Sequence, residues 1–262
     1  MRTRTWGLAA AVAVVAVVPQ IVIGAQQARS GYLPAGTLDI RQVLVPAPQK
    51  GDARYEADRA VFKATRHWLG TPRGDLATRD VQTSPAAMAA DFSCALDVVL
   101  TPENAPLTIA VIRKAAVDAS GQSGAAKDYF KRLRPYQIDE GKTCQPPEEL
   151  KGSYDYPSGH TTWGWTWAML LTELAPDRAT PIMARGRAYG ESRLVCGVHN
   201  ASAVEAGRIT ASSTMAAEHA QPAFLEDMTK ARAELTALRT NPARVKPQGC
   251  EAEAALVAAP IL

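Results

Sequence analysis

"YEADRAVFKATRHWLG", residues 55–70, decides the fold class. Ala57, Val61, Ala64 and Trp68 recur at three- and four-residue steps, which puts them on one face of an α-helix, and Gly70 supplies a stop. The chain repeats this signal. Segments 74–92, 104–120, 122–133, 161–175, 178–191, 203–220 and 222–239 read as helices, and runs of alternating β-branched residues are almost absent. The expectation is an all-α protein, a single compact bundle over residues 53–239. Residues 26–52, rich in Pro and Gly, read as an extended lead-in. Residues 240–262 hold Pro242, Pro247 and Pro260 around Cys250 and read as a C-terminal tail with one point of attachment.

The first 25 residues stand apart. Arg2 and Arg4 precede an apolar run from Trp6 to Val18, and Pro19 and the small pair Gly24-Ala25 follow, the layout of a secretory signal peptide cut near Ala25. An uncleaved membrane anchor is the alternative, because the stretch to Ile23 approaches spanning length. The full chain carries 29 basic and 26 acidic residues, and Arg2 and Arg4 are two of the basic ones. The remainder is nearly neutral, which argues against nucleic acid as a partner. The most apolar later stretch, Trp163 to Leu171, is interrupted by Gly164 and Thr166 and ends against Glu173, so no membrane contact is expected once the leader is removed. A periplasmic or secreted protein is expected. In that oxidising setting Cys94, Cys144, Cys196 and Cys250 favour two disulfides, with three connectivities open. Their spacing of about fifty residues fits no zinc-ligand pattern, and no metal site or cofactor is expected.

Three short clusters carry chemistry. In "KDYFKRLRP" (127–135), Lys127 and Arg134 are seven residues apart, almost two helical turns, so they are expected to share a helix face that Pro135 ends. In "YPSGHTTWGW" (156–165), Ser158 is a candidate helix cap and Gly159 lets a ligand approach the backbone, which makes an anion site at a helix start. His160 would stand at its edge, placed to pass a proton. In "SRLVCGVHNASAVEAGR" (192–208), Arg193 suits forked contact with phosphate oxygens. His199 can attack phosphorus if its other nitrogen is held by an acceptor. His67 and His219 need only structural or exposed roles.

Taken in order, Lys-x6-Arg-Pro, Pro-Ser-Gly-His and Ser-Arg-x5-His resemble the three-part signature of the type 2 phosphatidic acid phosphatase superfamily. Within it the chain is most similar to the soluble class A bacterial non-specific acid phosphatases, a likeness that extends to "GSYDYPSGHT", "EAGR" and the N-terminal leader and spans roughly residues 40–235. The resemblance implies a helical bundle of the phosphatidic acid phosphatase and vanadium haloperoxidase type. It implies that Lys127, Arg134, Arg193, Ser158 and the N–H of Gly159 hold a phosphoryl group. His199 would become a phosphohistidine, and His160 would protonate the leaving alcohol and then activate water. Phosphate monoesters would be the substrates, phosphotransfer to alcohols a further activity, and a homo-oligomer the assembly. No metal would be needed, because three cations offset the charge.

One residue departs from the family pattern, which continues His-x3-Asp. Here Ala203 stands where that aspartate would hold His199. Glu205 is the nearest acid, but Ser202-Ala-Val-Glu205 is also a capping box. Asp155, which with Tyr156 looks inserted before Pro-Ser-Gly-His, is a second candidate; the Ser202 hydroxyl, a carbonyl or a water is a third. Ala203 also leaves open a non-catalytic periplasmic phosphate-ester binder, and the shared cradle leaves a vanadate-dependent haloperoxidase. Trp163, Trp165 and Tyr156 are candidates to stack on a nucleotide base.

Overall fold

Ten α-helices and no strand occur among residues 30–262, the residues that the computed structural model describes. Segment 1–25, expected to be a signal peptide, and the first part of the lead-in lie outside them. In chain order the helices are α1 (Ile40–Val43), α2 (Ala53–Thr65), α3 (Pro72–Arg79), α4 (Pro85–Leu96), α5 (Pro106–Phe130), α6 (Gly159–Leu174), α7 (Ala179–Cys196), α8 (Ala201–Glu218), α9 (Pro222–Thr240) and α10 (Cys250–Ala258). The protein is all-α. No helix among the described residues is long and apolar enough to cross a membrane.

α6 is the central helix, packed against α5, α7 and α8, with Trp167 fully buried at the middle of the largest apolar cluster. Its approach to α7 depends on Gly164: a Cβ there would lie 2.3 Å from Cδ1 of Tyr189, far inside van der Waals contact. That close crossing brings the first turn of α6 beside the last turn of α7, where the candidate site forms.

Three helix boundaries differ from expectation. Segment 74–92 is two helices, because Pro85 cannot sit inside a helix without losing a hydrogen bond and striking the carbonyl four residues back. Ser84 instead caps α4, its Oγ accepting from Ala87 N at 3.2 Å. Segments 104–120 and 122–133 fuse into the 25-residue α5, with Gly121 and Gly124 inside it. Each glycine costs about 1 kcal/mol relative to alanine, less than the burial of Val111, Ile112, Ala115, Ala119 and Ala126 on the same helix returns. α5 then stops at Phe130, and Lys131 turns the chain with a left-handed backbone, φ 47°. Lys127 and Arg134 therefore do not share a helical face, as their spacing had implied.

The ends are also more structured than expected. The lead-in carries α1, whose Ile40 packs with Leu44 and Ala47 in a second apolar cluster. Segment 240–262 contains α10, which lies on α3, α4 and α7. Ile261 is buried there, and its carbonyl accepts from Trp68 Nε1 at 3.0 Å. Cysteines pair as Cys94–Cys250, joining α4 to α10, and Cys144–Cys196, joining the 131–158 connection to the end of α7. On the chain-entropy view, closing loops of these lengths stabilises the fold by about 4–5 kcal/mol each.

Candidate active site

Each of the three motifs sits at a helix end. Ser158 is the N-cap of α6: its Oγ accepts from Thr161 N at 3.3 Å and from Thr161 Oγ1 at 2.9 Å. Its own N–H donates to Ala203 O at 2.9 Å, so the cap is fastened to the first turn of α8. First-turn N–H groups of α6, beginning with Gly159, point out of the helix end, where a helix attracts anions. Lys127 comes from the last turn of α5. Arg134 reaches the same place from the extended segment beyond the turn at Lys131. Arg193 comes from the last turn of α7, which Gly197 ends with φ 78°, a value open to glycine and strained for other residues. This sharp stop returns the chain so that His199 faces Arg134.

A cavity of about 440 Å³ is lined by Lys127, Arg134, Gly159, His160 and His199, with Ser123, Gln145 and Trp163 around them. Three cations stand around it against one lining carboxylate, Glu149. Burial, then the nearby Arg134 charge, pushes the Lys127 ammonium down to about 7. Burial pushes Arg193 down to about 10 and lowers Arg134 as well. Three cations crowded in a desolvated space are costly, and an anion among them relieves the cost.

The arginines are held rigidly. Arg134 donates from Nε to Ser153 O at 2.8 Å, from Nη2 to Ser153 Oγ at 3.0 Å and from Nη1 to Val198 O at 2.8 Å. Arg193 Nη2 donates to Gln145 Oε1 at 2.9 Å, while its buried Nε and Nη1 have no partner among the described residues. Buried donors of a guanidinium are normally satisfied, and these two are left to meet an anion. Lys127 Nζ donates to Tyr154 O.

His199 is fully defined by its neighbours. Nδ1 lies 2.9 Å from Asp155 Oδ1, and Nε2 lies 3.1 Å from Arg134 Nη1. Arginine has only donors and a carboxylate only acceptors, so the proton sits on Nδ1 and the lone pair of Nε2 faces the cavity. Burial, followed by the charges of Arg134, Lys127 and Arg193, holds this imidazole well below its usual range, in the neutral form. Asp155 is itself completely buried. Burial raises its carboxyl, and Arg132 at 3.6 Å and the side chain of Asn200 act in the opposite direction. It accepts from Asn200 N at 3.2 Å and Asn200 Nδ2 at 2.9 Å.

His160 is arranged differently. Its Nε2–H donates to Val81 O at 3.0 Å, in the connection between α3 and α4, which leaves Nδ1 as the nitrogen available to a ligand. Burial and the charge of Arg193 push it down to about 3.

The structure thus gathers Lys127, Arg134, Ser158, Gly159, His160, Arg193, His199 and Asp155, and leaves other candidates outside. Glu205 is exposed, its nearest cation Arg54 at 3.8 Å. No capping box forms either, because α8 begins after Asn200, two residues earlier than a Ser202 cap requires. Ser202 is occupied elsewhere: its N and Oγ donate to Asp58 at 2.9 and 2.6 Å, and Arg132 Nη1 donates to the hydroxyl. Tyr156 is buried with Ala203 and donates to Val45 O at 2.9 Å, and Trp165 Nε1 donates to Ser212 Oγ at 3.2 Å. Of the three aromatics, only Trp163 borders the cavity. Reading by motif passed over Gln145, Ser153, Asn200, Arg132 and Asp58. Asn200, Arg132 and Ser153 lie within the stretches quoted for the motifs; Gln145 and Asp58 carry no local signal.

Comparison with known proteins identifies the family. Residues 106–225 match the model of the PAP2 superfamily. An acid phosphatase of Zymomonas mobilis subsp. mobilis is 38% identical over 200 residues, covering 76% of each chain. Non-specific acid phosphatases of Providencia stuartii and Salmonella typhimurium are 33% and 31% identical, over 77% and 78% of this chain and 83% of their own.

Proposed function

The chain belongs to the PAP2 superfamily and is an acid phosphatase, and from that premise we propose that it hydrolyses phosphate monoesters through a phosphohistidine, without a metal ion. The observation that carries this reading is the tautomer of His199: a buried neutral imidazole whose unprotonated nitrogen, contacted by Arg134, lies among three cations and whose other nitrogen is hydrogen-bonded to a carboxylate.

The steps follow from the geometry. Arg193, Arg134, Lys127, Ser158 Oγ and the N–H of Gly159 receive the non-bridging phosphoryl oxygens. His199 Nε2 gives its lone pair to phosphorus as the bond from phosphorus to the ester oxygen breaks in line. Asp155 then faces an imidazolium, and its negative charge stabilises the positive ring. His160 Nδ1, unprotonated at rest, takes the proton of the ester and passes it to the departing oxygen. That proton is supplied at acid pH, where the ester is a monoanion, its second ionisation lying at about pH 6. Water attacks the phosphohistidine as His160 Nδ1 accepts its proton, the bond from phosphorus to His199 Nε2 breaks, and phosphate takes up that proton and leaves with both histidines restored. An alcohol in place of that water would give phosphotransfer. Charge offset falls to the three cations, a role that metal ions hold in other phosphoryl transfers.

Asp155 takes the part that Ala203 cannot, so we favour an active enzyme over a phosphate-ester binder. We also place it in the periplasm or outside the cell, in keeping with its two disulfides and basic-then-apolar leader. The test is hydrolysis of 4-nitrophenyl phosphate between pH 4 and 8 with excess chelator, paired with alkaline trapping of a labelled phosphoenzyme. Turnover and label should both persist with chelator and both vanish in His199→Ala. Undiminished turnover in that variant would sink the mechanism.

A further inference from the structure

α5 runs past the phosphoryl cavity, and one face of it continues into a second cavity. Ser120, Ser123, Gly124 and Lys127 line the first. Ala110, Arg113, Lys114 and Val117 line the second, of about 490 Å³. These positions follow the three- and four-residue steps of a single helical stripe. Two other elements also serve both. The chain entering α4 contributes Thr83 to the first and Pro85 to the second. Trp163 of α6 borders both, its indole N–H held by Ser120 Oγ at 2.7 Å. The two hollows are consecutive lengths of one groove with the Trp163 ring at their division.

The polar groups along the groove are specific. Ser123 is 3% exposed, and its buried hydroxyl has no partner among the described residues. It lies beside the phosphoryl site: a Cβ built on Gly159 would be 3.8 Å from both Ser123 Oγ and Lys127 Cε. At the far end Lys114 is shared with Asp227, 3.6 Å away, and with the ring of Tyr32. Arg113 is exposed and has no ion pair among the described residues, so the uncommitted charge there is its guanidinium.

We propose that this groove is the leaving-group site, and that it favours phosphomonoesters whose alcohol portion is elongated and ends in a second anionic group, seated at Arg113. The proposal rests on the phosphatase reading above. Arg113 and Lys127 are fourteen residues apart on α5, a rise of about 21 Å, and helical side chains lean the same way along the axis, so the two anions would stand about 20 Å apart. Between them Trp163 offers an apolar face and Ser123 a hydroxyl, a sequence that suits a chain or ring system bearing scattered polar atoms.

Three aryl phosphates test it at low ionic strength: 4-nitrophenyl phosphate, one with a flexible tether of about 20 Å ending in a carboxylate, and the same tether ending in a neutral amide. Wild-type kcat/KM should favour the carboxylate over the amide by about three- to fivefold, and added salt should erase the preference. Arg113→Glu should invert the ratio. Equal rates for carboxylate and amide in the wild type, or an unchanged ratio in Arg113→Glu, would overturn the proposal. Absence of wild-type turnover of 4-nitrophenyl phosphate would instead overturn the phosphatase reading, and this proposal with it.

Discussion

The two histidines share one cation-lined cavity and differ in what stands behind them. Behind His199 is the buried Asp155 carboxylate; behind His160 is a backbone carbonyl, Val81 O. Both acceptors fix a tautomer, and they expose opposite nitrogens, Nε2 of His199 and Nδ1 of His160. Only the carboxylate brings charge. It can support a ring that turns positive and stays so through a covalent intermediate, whereas a carbonyl supports a ring that must hand its proton on. Each acceptor has its own buried ion pair. Arg132 pairs with Asp58 at 2.6 Å and lies 3.6 Å from Asp155. Asp80, next to Val81, pairs with Arg185 at 2.6 Å and accepts from Ser192 Oγ at 2.6 Å. Breaking such pairs one-sidedly costs about 3–5 kcal/mol, so both acceptors are held firmly.

The comparison breaks first at Asp155. Asp155→Ala should lower kcat by about 10²- to 10⁴-fold, the upper figure being the scale of neutralising the histidine-orienting aspartate in serine proteases. KM should change little, because the phosphate-holding cations are untouched. A kcat within twofold of wild type would show that the carboxylate has no part in the chemistry. A smaller effect separates the roles of the rings. His160→Ala should slow alkyl phosphates by about 10²- to 10³-fold. It should slow 4-nitrophenyl phosphate much less, since a good leaving group needs little protonation. Equal losses for both substrates would argue against proton donation.

Lys127 sharpens the electrostatic side. Its ammonium, pushed down to about 7 by burial and Arg134, is charged below that pH and neutral above it. Sulfate, a dianion throughout, should therefore inhibit about tenfold more weakly at pH 8 than at pH 6. Lys127→Arg should flatten the profile, since a guanidinium stays charged. The smallest effect is expected at Ala203. It is packed with Ile40, Leu44, Ala126 and Tyr156, so Ala203→Asp should lower stability by about 1–3 kcal/mol in a denaturant titration. It should leave kcat unraised, because Nδ1 already has its acceptor.

Much of this site was legible in the chain because its parts are local. Ser158, Gly159 and His160 are consecutive, and a helix start needs nothing distant to become an anion site. Lys127 and Arg134 were legible as a pair, but their geometry was not: the left-handed turn at Lys131 brings them together, and lysine carries no signal for that conformation. The break at Pro85 was readable and passed over. The helical identity of segment 240–262 was harder to see, since three prolines obscure a nine-residue helix, α10, that is held by contacts with α3, α4 and α7.

From the sequence alone came the all-α class, the three motifs that meet at one cavity and the candidate roles of their two histidines, because helical periodicity and motif spacing are properties of neighbouring residues. The partner of His199 was another matter. Asp155, Glu205 and Ser202 were all chemically able to accept from Nδ1, and proximity in sequence pointed to the wrong ones. Asp155 is 44 residues away and reaches the ring because the 131–158 connection folds back over the end of α7, tied by Cys144–Cys196 and by Asp155 N donating to Arg132 O at 2.9 Å. A hydrogen bond is decided by where two atoms are in space, and only the packed chain decides that.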